Sequence, residues 1–535
     1  MSNLIILNDL PTYNVPSKTA GAYRIASSCR QFGYSVDVID HFSYLFEKEP
    51  TVLFQALDRS ITKKTYAVAV SGSWFSGLSF DYKEHDLDLT NKEKEYFQLK
   101  GYTPTLTSII YSESKWFTLF HAIFKHLTLH HPQVKIILGG HTSGSVALFN
   151  SFGNKPFNFI DYWIKGFGES TMIQLLNNFK LRLSNPADRI LPGDPMGLLY
   201  DFHSCPPMFH EYDMIMSKET LPLELSRGCR FKCKFCSYPL LGKNPKEHRY
   251  LRSKESIKKE LKFNYNTWGI TNYFVLCDTF NETNEKLQTL ADAVSELGIQ
   301  LNLTAYLRLD LVYAHRDIQI PLLKQVGLRF ANFGIESLHD PSAKAIGKGM
   351  GKQKTIEALA LMKKEWNNEI HLHGNFVVGL PYETIDTITA NNQELLNGQI
   401  GLDSYTWHSL SIVKNRGKNR SFSSEFDRNY EKYGYQVSDA IDSNGNIWKN
   451  KHWDSVKTDE LAKQWNKESR EQNKTKLDAW RMASILNYGY TWKEALTKYH
   501  TDLTSPEFVQ DKNKFYDQYI KLVKRKYSSR TVGSR

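Results

Sequence analysis

No run of about 18 apolar residues occurs in the 535-residue chain, so no segment is expected to cross a membrane as a helix. Cysteine is scarce: there are six, and three of them fall within eight positions. That distribution excludes a disulfide framework, and clustered thiols in a chain of this kind point to a metal site. The N-terminal stretch MSNLIILNDLPTYN is apolar in part but has no basic flank and no small-residue cleavage site. It is expected to be a strand and not a signal peptide, which implies a cytoplasmic location. Internal repeats and low-complexity tracts are missing too. So is a GxGxxG motif after the first strand, which removes support for a dinucleotide.

What is present is ordinary in bulk. Hydrophobic residues make up 41% and charged residues 23%, as in globular proteins. The length calls for two or three domains. The net charge of +11 is unevenly spread. Residues 1–150 hold 14 Lys/Arg against 13 Asp/Glu, whereas residues 511–535 hold eight against two. A basic tail is a solvated segment more often than a specific site, and no RNA-binding motif accompanies it. No nucleic-acid or membrane partner is expected.

The chain is α/β in pattern. Residues 1–190 alternate short apolar runs (Leu4–Leu7, Ser35–Ile39, Tyr66–Val70, Val134–Leu138, Phe159–Ile164) with helical stretches such as Gly21–Phe32 and Trp116–His130. This predicts a doubly wound, Rossmann-like domain, with residues 75–132 resembling an insertion. Residues 191–214, rich in Pro, Gly and Asp, are expected to be a linker. Residues 215–415 alternate again. Strands are predicted at Pro222–Leu225, Tyr273–Leu276, Leu301–Tyr306, Phe330–Ile335, Gly374–Val378 and Thr406–Ile412. Six such units fit a partial (β/α)6 barrel, whose chemistry would sit beyond the C-terminal strand ends. Residues 416–535 are expected to be mainly helical. Their many Trp and Tyr residues would cover the barrel mouth or shape a pocket, although aromatics at helical spacing are more often core.

Directly after the first barrel strand comes Ser226-Arg-Gly-Cys-Arg-Phe-Lys-Cys-Lys-Phe-Cys236. Thiolates are the ligands that iron–sulfur clusters take, and three cysteines on a cubane leave one iron open. Gly228 allows a tight turn, and Arg227, Arg230, Lys232 and Lys234 favour the thiolate form. Spacing alone leaves open a zinc site lacking its fourth ligand.

Cys229-x3-Cys233-x2-Cys236, with Phe235 before the last cysteine, resembles the defining motif of the radical S-adenosylmethionine (SAM) superfamily. The resemblance implies that Cys229, Cys233 and Cys236 hold a [4Fe–4S] cluster, that SAM chelates the open iron, and that reductive cleavage yields a 5′-deoxyadenosyl radical. It also implies SAM contacts at Phe235, at Asp278 after the second strand, and at Arg308 after the third. Glu336 and Ser337 in Phe333-Gly-Ile-Glu-Ser337 end the fourth, and Gly374 and Gly379 belong to a glycine-rich fifth-strand element. Each has a plainer alternative: an Asx turn for Asp278, an ion pair with Asp310 for Arg308, capping for Glu336 and Ser337, and a bulge and turn for the glycines. Cys277 and His408 are the weak catalytic candidates. A lone cysteine in a strand is more often simply buried, and a satisfied core histidine is as common as a proton donor.

The first domain is similar in order and character to the cobalamin-binding domain that precedes the barrel in one radical SAM subgroup. Gly21-Ala-Tyr-Arg-Ile-Ala26, Gly139-Gly140 and Gly166–Glu169 carry the likeness. It implies cobalamin contacts at Ser71, Gly139, Gly140, His141, Gly166 and Glu169. The Asp-x-His-x-x-Gly signature is missing, so no histidine is identified to coordinate cobalt from below. The expected activity is cobalamin-dependent C-methylation of an unactivated carbon in a small-molecule or peptide substrate. An electron donor such as flavodoxin or ferredoxin would feed the cluster. The alternatives are a cobalamin-dependent radical cyclase or rearrangement enzyme, and a non-catalytic cobalamin or iron–sulfur sensor. A methylthiotransferase would need a second three-cysteine cluster in the first domain, which offers only Cys29.

Overall fold

The computed structural model describes residues 2–10, 15–71, 83–85, 109–111, 115–140, 159–184, 186, 188–193, 200–236, 250–414, 424–442, 445–472, 474, 478–498 and 503–528. The chain divides into two units. One comprises Met1–Ser217 with Gln510–Arg535, the other Lys218–Val509.

The first unit is built on six parallel strands: β1 (Leu4–Asn8), β2 (Val36–Asp40), β3 (Ala67–Ser71), β4 (Lys135–Gly140), β5 (Tyr162–Lys165) and β6 (Ile190–Pro192). Their order is β2-β1-β3-β4-β5-β6. β1 and β2 are buried along their whole length, as expected of strands covered on both faces. The order reverses between β1 and β3, so the ligand crevice of such a sheet lies beyond their carboxyl ends. Helix Ala20–Gln31 follows β1. Helix Lys115–His130 sends Leu119, Phe120, Ile123, Phe124 and Leu127 into a core shared with Val68, Val70 and Leu138.

Two expectations for this unit change. The described residues of 191–214 pack as part of the first unit and not as a linker. β6 joins the sheet, and Tyr200, Phe202, Phe209 and Met214 are buried. Arg24 donates to the Tyr200 hydroxyl at 2.8 Å, and Arg30 forms a two-pronged pair with Asp213 at 2.6 and 2.8 Å. Pro and Gly signalled irregular backbone, but buried aromatics among them decide where it packs. Nor do residues 416–535 form one region. From Gln510 the helix Pro506–Ser528 belongs to the first unit, where Tyr519, Val523 and Tyr527 enter its core.

The second unit has six parallel strands in strict sequence order: β7 (Leu221–Leu223), β8 (Asn272–Val275), β9 (Asn302–Leu307), β10 (Leu328–Glu336), β11 (His371–Val378) and β12 (Ser404–Ser409). Sequential parallel order with an intervening helix each time is the topology of an open (β/α)6 barrel. The helices begin on caps the sequence supplies. Ser253, Thr283 and Thr384 each accept a backbone N–H from the first turn of the helix that follows.

The C-terminal segments pack against the barrel strands and also against the loop after β11, where Tyr435 donates to Gly379 carbonyl at 2.8 Å and Trp453 to Glu383 carbonyl at 2.9 Å. Ala479 carbonyl accepts from Thr304 Oγ1 at 3.1 Å, and Trp480 packs against Phe274 with ring centroids 4.5 Å apart. The free edge of β12 is also covered: Asn466 accepts from Trp407 N–H and donates to Trp407 carbonyl, at 2.9 and 2.8 Å. That satisfies backbone groups an edge strand would otherwise expose. An antiparallel hairpin, β13 (Gln436–Asp442) and β14 (Gly445–Lys449), completes the unit and was not foreseen.

Candidate active site

Cys229, Cys233 and Cys236 lie in the loop after β7, half-buried. Gly228 has φ +89°, a conformation that glycine adopts at little cost and that turns the chain into the loop. The loop is held from several sides. Cys236 N–H bonds Cys233 carbonyl at 3.1 Å, Lys234 N–H bonds Ile346 carbonyl at 3.0 Å, and Arg230 N–H bonds Glu282 Oε1 at 3.2 Å. Cys229 Sγ is 3.5 Å from Thr279 Oγ1. Burial pushes the Cys229 thiol up, while the Thr279 hydroxyl and the Phe231 N–H pull it down. The basic residues were expected to supply positive charge to the thiols, but Arg227 is paired with Glu224 at 3.0 Å. The cation that reaches a thiol is Arg308, whose Nη1 donates to Cys233 Sγ at 3.1 Å.

The other predicted SAM residues gather at the same end of the barrel, except Gly374, which lies within β11. Asp278 follows β8. Its side chain is exposed at the strand end, yet the surrounding protein, aided by Glu282, pushes its carboxyl up to about 7 against the pull of Lys286. Arg308 follows β9. It is gripped by Asp310 at 3.0 and 2.6 Å and stacks over Phe231 at 4.2 Å. Its guanidinium thus serves the cluster loop and Asp310, the ion pair foreseen as the plainer alternative. Glu336 ends β10 with φ +70° and faces Lys348 at 3.4 Å. Ser337 donates to Glu383 Oε1 at 2.5 Å and accepts from His339 N–H at 3.0 Å. Glu383 is buried, and desolvation pushes its carboxyl up to about 8. Phe235 is half-buried in the cysteine loop.

Gly374 and Gly379 are explained by protein neighbours. A Cβ at Gly374 would lie 2.5 Å from Leu402 Cδ1 and 3.3 Å from Ile335 Cδ1, on the outer face of β11. A Cβ at Gly379 (φ +100°) would lie 2.7 Å from Trp448 Cη2. Strand alternation is the reason for the first: the opposite row of β11 carries the polar groups.

That row is the floor of the cavity. Asn375 donates to Asn332 on β10, His408 Nε2 lies 3.3 Å from Asn375 Oδ1, and His373 Nε2 lies 3.3 Å from Thr406 Oγ1. Burial holds His373 down at about 3, so it is neutral. Desolvation also keeps His408 below the usual histidine range, against the field of Glu336. His408 therefore faces the cavity as an uncharged imidazole. Cys277 points the other way and is 2% exposed, which matches a structural thiol.

Several positioning residues went unnoticed in the sequence. Lys286 is buried and donates to Thr279 carbonyl, Ser226 Oγ and Glu282 Oε2 at 2.7, 3.1 and 3.1 Å, tying the cysteine loop to the loop after β8. Lys348 donates to Gly334 carbonyl at 2.8 Å. A Cβ at Gly334 would come within 2.5 Å of Glu336 Oε1. The Gly-Lys-Gly-Met-Gly run at 347–351 was the available signal for Lys348.

In the first unit, the ends of β1 and β2 are filled by the chain itself. Asp40 accepts from Lys18, Tyr23 and Asn8 at 2.8, 2.5 and 2.6 Å, and Tyr519 donates to its carbonyl at 2.9 Å. Burial would raise the Asp40 carboxyl, but Lys18 and His41 hold it below the usual range. The last residues of β3 and β4 are small. Ser71 pairs in register with Gly139, and Gly139 and Gly140 pair with Ile164 and Lys165. Gly140 and Gly166 take φ +141° and +98°. Among the described residues, a Cβ at Gly139 would meet Ile164 carbonyl, at 3.9 Å. Glu169 is buried in the first turn of helix Glu169–Leu181. His141, and Gly72–Phe75 after Ser71, lie outside the described residues.

The profile of the radical SAM superfamily matches residues 223–391. An uncharacterized methyltransferase of Pyrococcus horikoshii is 31% identical over 166 residues, covering 31% of this chain and 34% of its own length. The ribosomal protein uS12 methylthiotransferase RimO of Ruegeria pomeroyi is 29% identical over 178 residues, 30% of this chain and 37% of its own. The chain thus spans about a third of the length of these curated relatives. Among solved structures, the radical SAM methyltransferase TsrM of Kitasatospora setae, with cobalamin and a [4Fe–4S] cluster bound, superposes with a TM-score of 0.58. That match covers 97% of this chain and all of TsrM at 12% identity, a likeness of fold.

Proposed function

This chain carries a radical SAM domain, and from that premise we propose that it is a cobalamin-dependent radical SAM enzyme that methylates an unactivated carbon of a small-molecule or peptide substrate. The observation that carries the reading is the three-thiol loop at the C-terminal end of β7, with Arg308 bonded to one thiol.

The donor set fits a cubane cluster: Cys229, Cys233 and Cys236 would hold three irons and leave the fourth for the amino and carboxylate groups of SAM. When bound, the cluster supplies an electron to the sulfonium, and cobalamin supplies a transferable methyl group. The chain's own residues do the rest. Lys286 and Thr279 hold the cysteine loop against the loop after β8. Asp278 and Glu336 offer carboxyl oxygens at the cavity end, and His408 and Asn375 line it with neutral donors and acceptors. A methyl acceptor would therefore meet neutral polar groups on β11 and β12, with the Glu336–Lys348 ion pair beside them. In the first unit, the small residues at the ends of β3 and β4, with Gly166 after β5, suit a large flat ligand, since Gly139 and Gly140 carry no side chain to block it. The superposition on TsrM, whose structure holds cobalamin, supports the same reading. A flavodoxin- or ferredoxin-type donor in a reducing cytoplasm would supply the electron.

The test is anaerobic reconstitution of the full chain with iron and sulfide, followed by SAM and dithionite. Formation of 5′-deoxyadenosine is expected; its complete lack with a spectroscopically intact cluster would overturn the enzyme reading. Separately, protein produced with hydroxocobalamin should retain the corrin through gel filtration, and colourless protein would remove cobalamin from the proposal. A mass increase of one methyl in a cell-extract screen separates methylation from cyclisation or rearrangement.

A further inference from the structure

We infer that Asp58, His126 and His131 form a second metal site, for a single zinc-class divalent cation, within the first unit. The residues come from two helices. Asp58 lies in the last turn of helix Pro50–Ser60, His126 in helix Lys115–His130, and His131 just past its end. The Nε2 atoms of both histidines lie 2.8 Å from the same oxygen, Asp58 Oδ1. All three donor atoms fall within 4.8 Å of one another.

Two imidazoles and one carboxylate converging on a point are the donor set that zinc and similar borderline cations take. Ligand atoms about 2.1 Å from a tetrahedral ion stand about 3.3–3.5 Å apart. Here the two N···O separations are 2.8 Å, so each need open by little more than half an ångström. An Nε2 that binds a metal must present its lone pair, so a neutral ring carries its proton on Nδ1 in the metal-bound form.

The surroundings suit a clamp. His126 is fully buried, with its ring 4.6 Å from that of Phe54, and fixes one ligand. The Asp58 and His131 side chains are each 15% exposed, so solvent reaches the rim of the cluster. His131 leads directly into the turn before β4, where Val134 N–H bonds His131 carbonyl at 3.0 Å. An ion here would pin the end of one helix to the end of the other at the foot of the sheet. The site is independent of the cysteine loop, and the radical reading can fail without touching it.

The experiment uses full-length protein with its cluster reconstituted, dialysed against chelator and titrated with Zn²⁺ and, separately, Co²⁺. One equivalent should bind in addition to the cluster iron. The Co²⁺ form should show visible d–d bands without the strong near-ultraviolet charge transfer that thiolate ligands give. The double variant Asp58→Asn/His131→Gln should weaken that equivalent at least tenfold and abolish the zinc-induced rise in Tm. His452→Ala, at an exposed histidine elsewhere, should leave both unchanged. If the double variant does not fold, His131→Gln alone, at the half-buried rim, should still weaken binding severalfold. Equal affinity in wild type and variants, or a cobalt spectrum carrying only thiolate bands, would overturn the proposal.

Discussion

Arg308 donates to the Sγ of Cys233 at 3.1 Å while Asp310 holds the other side of the same guanidinium at 3.0 and 2.6 Å. A cation hydrogen-bonded to a cluster thiolate stabilises the reduced, more negative state. Arg308→Gln is expected to lower the midpoint potential of the reconstituted cluster by roughly tens of millivolts. Arg308→Lys should recover part of that shift, because a lysine keeps the charge but not the fork. A redox titration followed by electron paramagnetic resonance measures both. An unchanged potential in the Gln variant would mean that the contact does no more than hold the loop.

Replacing Cys229, Cys233 or Cys236 singly by Ala should abolish the cluster's visible absorption and most of its bound iron. Cys277→Ala should leave both intact, because that thiol is buried away from the cavity, and should cost about 1 kcal/mol of stability. Iron and sulfide assays on the four variants separate ligands from bystander.

Glu383 gives a pH dependence with a definite sign. Its carboxyl is raised from the usual value to about 8, so between about pH 4.5 and 8 the folded chain holds a proton that the unfolded chain has released. Stability from this group is therefore full at low pH and lost as pH rises through 8. Glu383→Gln mimics the protonated form. Urea unfolding at pH 5.5 and pH 8.5 should show wild type losing a few kcal/mol more than the variant across that interval. Parallel losses would mean that the carboxyl is already ionised in the fold.

Gly379→Ala should destabilise the second unit by about 2–4 kcal/mol, from a left-handed φ and from crowding against Trp448 and Thr458. Gly374→Ala should also be costly, against Leu402 and Ile335. Denaturant midpoints test both. A Gly379→Ala protein of wild-type stability with weakened SAM binding would restore the ligand-facing role that the sequence suggested.

The alternating pattern of short apolar runs predicted all six barrel strands and five of the first six sheet strands to within a few residues. Buried parallel strands announce themselves by continuous apolar runs, and the three-cysteine spacing is similarly local. Sidedness and partnership were less visible. Gly374 belongs to a glycine-rich element, but only the register of β11 with its neighbours shows that its missing side chain makes room for Leu402. Arg308 was assigned to SAM because a guanidinium suits a carboxylate. The carboxylate it meets is Asp310, two residues on, and the cysteine it also meets is 75 positions back. The role of Lys286 was less visible, since its three acceptors lie on two segments, one of them 60 positions back. β6 was hidden among Pro and Gly because three residues are too few to show a period.

The first unit is discontinuous: its sheet is made from residues before 218, but Tyr519, Val523 and Tyr527 fill part of its core. Synthesis runs from the N-terminus, so the sheet must wait, partly uncovered, while almost 300 further residues are made. The barrel unit has no such debt and is complete in sequence before the last helix emerges. The order of birth on the ribosome is thus the reverse of the order of completion, and a chain interrupted near its end would leave the sheet uncovered, an opening for proteases or chaperones that a finished chain does not present.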